Sequence, residues 1–435
     1  MAARLAAAPA GRVTQVFDDP ATREGAYRFL ENDKIDAAKL LKSAALASAS
    51  RAWGQPFAYV PVDGSSLYFA DPDGTRGLGS IGTRTAGARG LKVMNAIVVG
   101  ADEIPLGLGH QVWWARTKKR ARKHRHERCL QEKETRHWLT AIDGVRAAWK
   151  EAGSPCRLWF QLDREGDFQE LLRFTSQSDD WVTVRSGQDR RVRDHRGRRL
   201  KALVGATSPI GQFHLTVPSS PHRRGRQATI SLCAREVTLR LRDKQSGATY
   251  DVKLQAVLAR ESRTTPHDEQ RIEWLLLTNR AVTSFDDALA VVRGYAQRWK
   301  IEQFHRTWKS SCRVEDSQLR SFNAIIRWAT LLASVAMRIE RLRDLARNSP
   351  DEPATVELAA HEVEALVWLR ARREAPTHDI PSIGQAVRWI AELGGYTGKS
   401  SGGPPGSATI GRGLERLEPA ALLVLNQRTH AARKR

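Results

Sequence analysis

Acidic residues and cysteine are both scarce in this sequence. Across 435 residues there are 48 Asp and Glu against 70 Lys and Arg, for a formal net charge of +22 and a pI near 10.4. An excess of that size, spread along the whole chain, calls for a polyanionic partner; an acidic membrane surface is the other candidate. Only four cysteines occur, Cys129, Cys156, Cys233 and Cys312, with no CxxC spacing. That scatter argues against a disulfide framework or a zinc cluster and suits a reducing cytoplasm. No run reaches the roughly 18 apolar residues of a spanning helix. The longest candidate, Ala324 to Met337, is interrupted by Arg327, and the opening MAARLAAAPAG is too poor in large apolar residues for a secretory signal. A soluble cytoplasmic protein without a membrane segment is therefore expected. Internal repeats are also lacking.

What is present is enough apolar residue, 41%, for two or three domains with their own cores. Residues 1–50 carry helical spacing at Glu24 to Asn32 and Ile35 to Ala47. Strand-like runs follow at Phe57 to Val62, ending at Asp63, Gly64, Ser65 and Ser66, then Leu67 to Ala70, Leu91 to Gly100 and Gly107 to Trp114, in the manner of an antiparallel meander. Eight of the thirteen residues from Arg116 to Arg128 are Lys or Arg, the mark of a solvated loop able to meet phosphate. His124 and His126 inside it lack a partner at metal-ligand spacing. Trp138, Ile142, Val145 and Trp149 mark a helix over Glu132 to Lys150, leading into a strand at Cys156 to Leu162 that ends in Asp163. From Arg185 to Thr278 the pattern is again strand-like, and from Phe285 onward it is helical, broken by the flexible linker Gly394 to Gly406. Gly398, Lys399 and Ser400 in that linker imitate a phosphate loop, but the required first glycine falls at Leu393 and a helix precedes the segment where a strand is needed.

Within GYAQRWKIEQFHRTWKSS, Gly294 to Ser311, the residues Tyr295, Arg298, Glu302 and Lys309 share one helical stripe, with Arg306 beside them and Ile301, Phe304 and Trp308 opposite. Such a stripe is also what a solvated face laced by Arg298/Glu302 and Glu302/Arg306 pairs looks like. Asp63 and Asp163 end two strands that could be neighbours, and Glu302 lies on a helix able to cover them. Three carboxylates in a basic protein can hold two divalent ions and split a phosphodiester; taken singly, each has a structural use, as a turn cap or as a partner of Arg164 or Arg298.

The spacing Tyr295-x2-Arg298-x3-Glu302-x6-Lys309 resembles the Tyr, Arg, Glu, Lys signature of bacterial insertion-sequence transposases of the Asp-Asp-Glu type. The similarity is strongest to the insertion-sequence-four family and its transposon-five transposase group. EGAYRF at Glu24 to Phe29, Asp63 to Leu67, LGSIG at Leu78 to Gly82, Arg89-Gly90, Trp113-Trp114, EKET at Glu132 to Thr135, DREGD at Asp163 to Asp167, VRS at Val184 to Ser186 and EWLLLT at Glu273 to Thr278 fall in the matching order, so the resemblance covers roughly residues 20–430. It implies an α/β fold: a ribonuclease-H-like mixed-sheet catalytic core interrupted by an all-β insertion domain, with helical N- and C-terminal regions. The expected divisions are a shortened N-terminal DNA-binding region at 1–50, core at 51–185, insertion at 186–278, core with the Glu helix at 279–345 and a helical dimerisation region at 346–435.

The same resemblance implies Asp63, Asp163 and Glu302 as catalytic metal ligands for two Mg2+ ions, with Mn2+ able to substitute. Tyr295, Arg298 and Lys309 would grip the backbone of the DNA end, Arg185 would contact DNA, and Trp274 would help hold a flipped base. The activity implied is cut-and-paste transposition: hydrolytic end cleavage, a hairpin step and strand transfer into target DNA. The partners implied are double-stranded DNA, as the terminal inverted repeats of the element and as target, and a second copy of the chain in a homodimeric synaptic complex. Gly64 stands where relatives carry Thr, and Met94 where a His is common. Only 23 residues precede Glu24, where relatives carry several tens of residues more. This admits an alternative, a truncated DNA-binding or dimerising inhibitor of transposition without activity of its own.

Overall fold

The structure is a computed structural model that describes residues 1–7, 9–82, 87–116, 129–193, 198–217, 219, 224–243, 246–262, 265, 269–370, 380–399 and 402–433. Most of the basic run after Arg116, with His124 and His126, lies outside the described residues. So do His222 of the second basic turn and Ser400 of the linker.

Ten strands among the described residues form one mixed sheet: β1 (Phe57–Tyr68), β2 (Gly79–Ser80), β3 (Arg89–Gly100), β4 (Pro105–Trp114), β5 (Arg157–Leu162), β6 (Trp181–Arg185), β7 (Gly211–Val217), β8 (Arg226–Arg242), β9 (Thr249–Glu261) and β10 (Glu273–Thr278). Their order is β2-β3-β1-β5-β6-β10-β9-β8-β7, with β4 also paired to β3. β5 and β6 run parallel to β1, whereas β3, β4 and the strands from β7 to β10 pair antiparallel. The helices are α1 (Ala2–Ala7), α2 (Val13–Val16), α3 (Pro20–Glu31), α4 (Ala37–Arg51), α5 (Arg136–Ala152), α6 (Gln169–Gln177), α7 (Leu200–Gly205), α8 (Phe285–Ala296), α9 (Trp299–Ser310), α10 (Phe322–Asn348), α11 (Ala360–Arg370), α12 (Ile383–Leu393) and α13 (Ser407–Arg433).

Alternation along the central strands decides which helices cover which face. Ala58, Val60 and Val62 of β1 and Leu158, Phe160 and Leu162 of β5 pack with Trp138, Ile142, Val145 and Trp149 of α5. These four α5 residues repeat at helical spacing, and Gly153 ends the helix in the left-handed conformation that its missing side chain allows. The opposite face presents Tyr59 and Trp159 to α8, α9 and α10. A Cβ added at Gly294 would lie 3.0 Å from Tyr59 and 3.2 Å from both Gln161 and Trp159, so this glycine is what lets α8 sit close against β1 and β5. Burial of these two faces is the main driving force that holds the helices to the sheet.

Several elements differ from the sequence reading. Residues 57–68 form one strand: β1 continues past Asp63 because β3 keeps pairing with it, from Ala58↔Gly100 to Tyr68↔Gly90. Asp63 therefore sits inside β1. The segment 186–278, expected as a separate all-β unit, extends the core sheet through the β6–β10 pairing and includes the short helix α7. The helix expected over Phe285 to Cys312 is two helices, because Arg298 N–H bonds to Tyr295 O and Ile301 N–H to Arg298 O in a tighter three-residue turn. Composition and length would let α10 cross a membrane, but most of it is buried in the molecule. Arg327, in its second turn, donates to the carbonyls of Leu30 and Ile35, which ties α10 to the N-terminal helices.

Candidate functional site

Parallel pairing carries β1 and β5 in register from Phe57↔Arg157 to Val62↔Leu162, so Asp63 and Asp163 each follow the last paired position on strands about 4.8 Å apart. Both lie on the face covered by α8 and α9, the face of Tyr59 and Trp159. Asp163 leaves the strand and caps a short 3-10 turn, accepting a hydrogen bond from Glu165 N–H at 2.8 Å, while Asp63 accepts from Gly64 N–H at 2.7 Å. Above them, Glu302 projects from the first turn of α9, where a carboxylate also suits the helix dipole.

One guanidinium links two of the three acids. Arg298, at the N-cap of α9, donates to Glu302 Oε1 at 2.6 Å and to Asp63 Oδ2 at 3.4 Å, with its side chain 11% exposed. The carboxyl of Asp63 is nevertheless pushed up to about 7, first by burial and then by the charge of Asp163, with Glu302 adding a smaller push; Arg298 and the Gly64 N–H act the other way. The i,i+4 pairing of Arg298 with Glu302 expected from a solvated face is present, but here it is folded into a crowded acidic site. Three carboxylates with one balancing cation are oxygen donors of the kind Mg2+ or Mn2+ prefers. Among the described residues no three His, Cys, Asp or Glu side chains are drawn together tightly enough to hold a metal ion. The donor chemistry fits a divalent ion; in the described arrangement Arg298 supplies the positive charge.

The remaining predicted residues fall into two groups. Arg185, Trp274, Tyr295 and Arg298 come together beside Asp163: the Trp274 and Tyr295 rings meet edge to face at 5.2 Å, and the Arg185 guanidinium lies 6.0 Å from the Trp274 ring. Tyr295 is only 4% exposed, and its hydroxyl is pushed up by burial against the influence of Arg298 and Arg185. It lies at the end of α8, before the turn, and not on the helix that carries Glu302. Lys309 stands apart, its Nζ donating to Ser66 O at 2.8 Å, which pins α9 to β1 beyond Asp63.

Sequence reasoning missed the polar braces of the site. Asn95 pairs with Asp63 across β3 and β1; its side chain donates to His305 Nε2 at 2.9 Å and accepts from Gln111 Nε2 at 2.8 Å. The His305 ring is pushed down to about 3 by burial, then by Lys309 and Arg298, which keeps it neutral and able to accept. Its position three residues after Glu302 places it on the same helix face, a signal available in the sequence. Asn95 was not available in that way, because only the β1–β3 register sets it opposite Asp63. On the other side of α9, Lys300 Nζ donates to Asp344 at 2.6 Å, and Arg343 contacts both Asp344 and Glu340. No family model matches the chain.

Proposed function

We propose that the protein is a DNA transposase of the Asp-Asp-Glu type, cleaving and joining DNA phosphodiesters at Asp63, Asp163 and Glu302. The carrying observation is the Arg298 guanidinium spanning Asp63 and Glu302 while the charge of Asp163 acts on Asp63. Antiparallel β3 and β4 on one side of β1 and parallel β5 and β6 on the other, with Asp63 just past the β5-paired part of β1 and Asp163 at the end of β5, suit a ribonuclease-H-like core. The basic composition supports a DNA partner, bound as a homodimer on paired ends in the cytoplasm.

Asp63, Asp163 and Glu302 would hold two Mg2+ ions, or Mn2+ in their place, which when bound activate an attacking oxygen and steady a leaving one. The chain's own groups prepare that site. Backbone N–H groups of Gly64 and Glu165 fix the two aspartates, and Asn95 with His305 sets α9 at its height over the sheet. Asp63, with its raised value, keeps a proton near neutrality while cations are few around it. Arg298 balances Glu302 until a phosphate arrives, and its planar fork then suits two phosphate oxygens. Trp274 beside Tyr295 offers an aromatic surface for an unpaired base.

The test is cleavage and strand joining on duplexes carrying the inverted repeats that flank the gene, with Mg2+ or Mn2+. Activity lost in Glu302→Ala and in Asp163→Asn is expected; cleavage retained in both removes the assignment.

A further inference from the structure

A large groove opens on the α5 face of the sheet, where Trp114 and Phe168 pack with α5. It holds about 1330 Å³, above the roughly 300–1,000 Å³ of small-molecule sites, and it is lined from five separate stretches: the end of β4, the start of α5, the start of α6, the turn after β6 and the end of β8. Seven Arg and Lys line it against three Glu.

Pairing within the groove leaves a surplus of free cations. Arg116 grips Glu134 through two bonds of 2.5 Å, and Arg190 is held by buried Asp167 at 2.5 Å. Among the described residues Lys133, Arg191 and Arg242 make no ion pair; Arg191 and Arg242 are exposed and Lys133 is half-buried. At the start of α5 the N–H groups of Arg136, His137 and Trp138 bond to the carbonyls of Lys133, Glu134 and Thr135, so the first turn of α6 is the helix end that can offer N–H groups to the groove. An indole stacked on His137 at 4.1 Å, that of Trp114, gives the floor a rigid apolar edge.

The groove comes near the turn that follows Asp163, but from the α5 face of the sheet, opposite the face of Asp63 and Asp163. Lys92 lies 3.8 Å from Glu134 and pairs across the sheet with Ser66, three residues beyond Asp63, or about 10 Å along the strand. At the other side, Phe168 follows Asp163 by five residues in the same turn. A polymer lying in the groove would therefore run along the α5 face and come close to the turn that follows Asp163.

We propose that this groove is a track for a DNA duplex, holding its sugar-phosphate backbone through Lys133, Arg191 and Arg242 irrespective of sequence, on the face of the sheet opposite Asp63 and Asp163. Cations dispersed over turns and strand ends position a backbone; they do not read base edges. The inference rests on the transposase reading and names where a duplex of arbitrary sequence, such as target DNA, would lie.

The test is fluorescence anisotropy of a labelled duplex of arbitrary sequence titrated with the full chain in EDTA, over a series of salt concentrations. The variant Lys133→Ala/Arg191→Ala/Arg242→Ala is compared with Lys150→Ala/Lys253→Ala/Lys399→Ala, which removes equal charge from exposed positions elsewhere. The groove variant is expected to bind about tenfold weaker or worse, with the slope of log K against log salt smaller by about two to three, while the control stays within about threefold. Equal melting temperatures confirm that both variants fold; the corresponding glutamine triple replaces the alanine one if they differ. Equal weakening in both triples, or none in the groove triple, overturns the track and leaves the transposase reading standing. Absence of duplex binding by the unaltered chain removes both. Tighter binding of duplex RNA through the same three side chains overturns the DNA assignment.

Discussion

On the side of α9 that meets α10, Lys300 and Arg343 stand against Glu340 and Asp344; on the side that meets β1, Arg298 alone stands against Asp63, Asp163 and Glu302. The first cluster is buried, Glu340 at 2% and Asp344 at 3% exposure, and its acids are further satisfied by Thr307, Ser407 and Arg343. Although burial opposes it, Asp344 is held below the usual carboxylate range by Arg343 and Lys300. In the second cluster Asp63 moves the opposite way, up to about 7. One short helix thus separates a balanced ionic network, which fixes architecture, from an acid-rich one that is left short of positive charge. The shortage is what makes the second cluster a candidate for chemistry.

The largest expected effect is on the unbalanced side. Glu302→Ala should lower metal-dependent DNA cleavage by roughly a thousandfold or more, several kcal/mol of transition-state stabilisation, with the urea unfolding midpoint little changed. Equal losses of fold and cleavage would erase the contrast between the two clusters. Next, Asp344→Ala should destabilise the fold by about 3–5 kcal/mol in urea denaturation, since it strands Lys300 and Arg343 in the interior.

The pH dependence of the two sides of the site has opposite signs. Asp63 has a folded-state value above that of the unfolded chain, so its contribution to stability is full below about pH 4 and is lost as pH rises through 7. Asp63→Asn should therefore raise stability at pH 8 by about 2–4 kcal/mol, with the advantage gone by pH 4; melting temperatures at pH 8, 6 and 4 check this. His305 is a base with a depressed folded-state value, so its contribution is present above about 6.5 and is lost as pH falls toward 3. His305→Gln should flatten the acid limb of the stability curve by about 1–2 kcal/mol at pH 5, the smallest effect of the four.

Much of the helical architecture was legible because burial repeats at helical spacing: Trp138 to Trp149 predicted α5, and the helical pattern from Phe285 onward covers α8 to α13. The strand carrying Asp63 was read too short, since Gly64, Ser65 and Ser66 look like a turn until β3 is seen pairing with them. Trp181 to Arg185, too short to announce itself, became β6 only because it lies between β5 and β10. The stripe of Tyr295, Arg298, Glu302 and Lys309 was read on one ideal helix, and the tighter turn at Gln297 and Arg298 divided it.

By itself the sequence determined the residue types and their local spacing: the positive charge, the apolar runs that end at Asp63 and Asp163, and the i,i+4 placement of Arg298 and Glu302. Those features depend on neighbours within a turn or a strand. Only the tertiary structure decided that β1 and β5 are adjacent and parallel, that Asn95 and His305 brace the site, and that a basic groove lies on the opposite face of the sheet. Strand order and register are set by contacts between residues far apart in the chain, which no local pattern encodes.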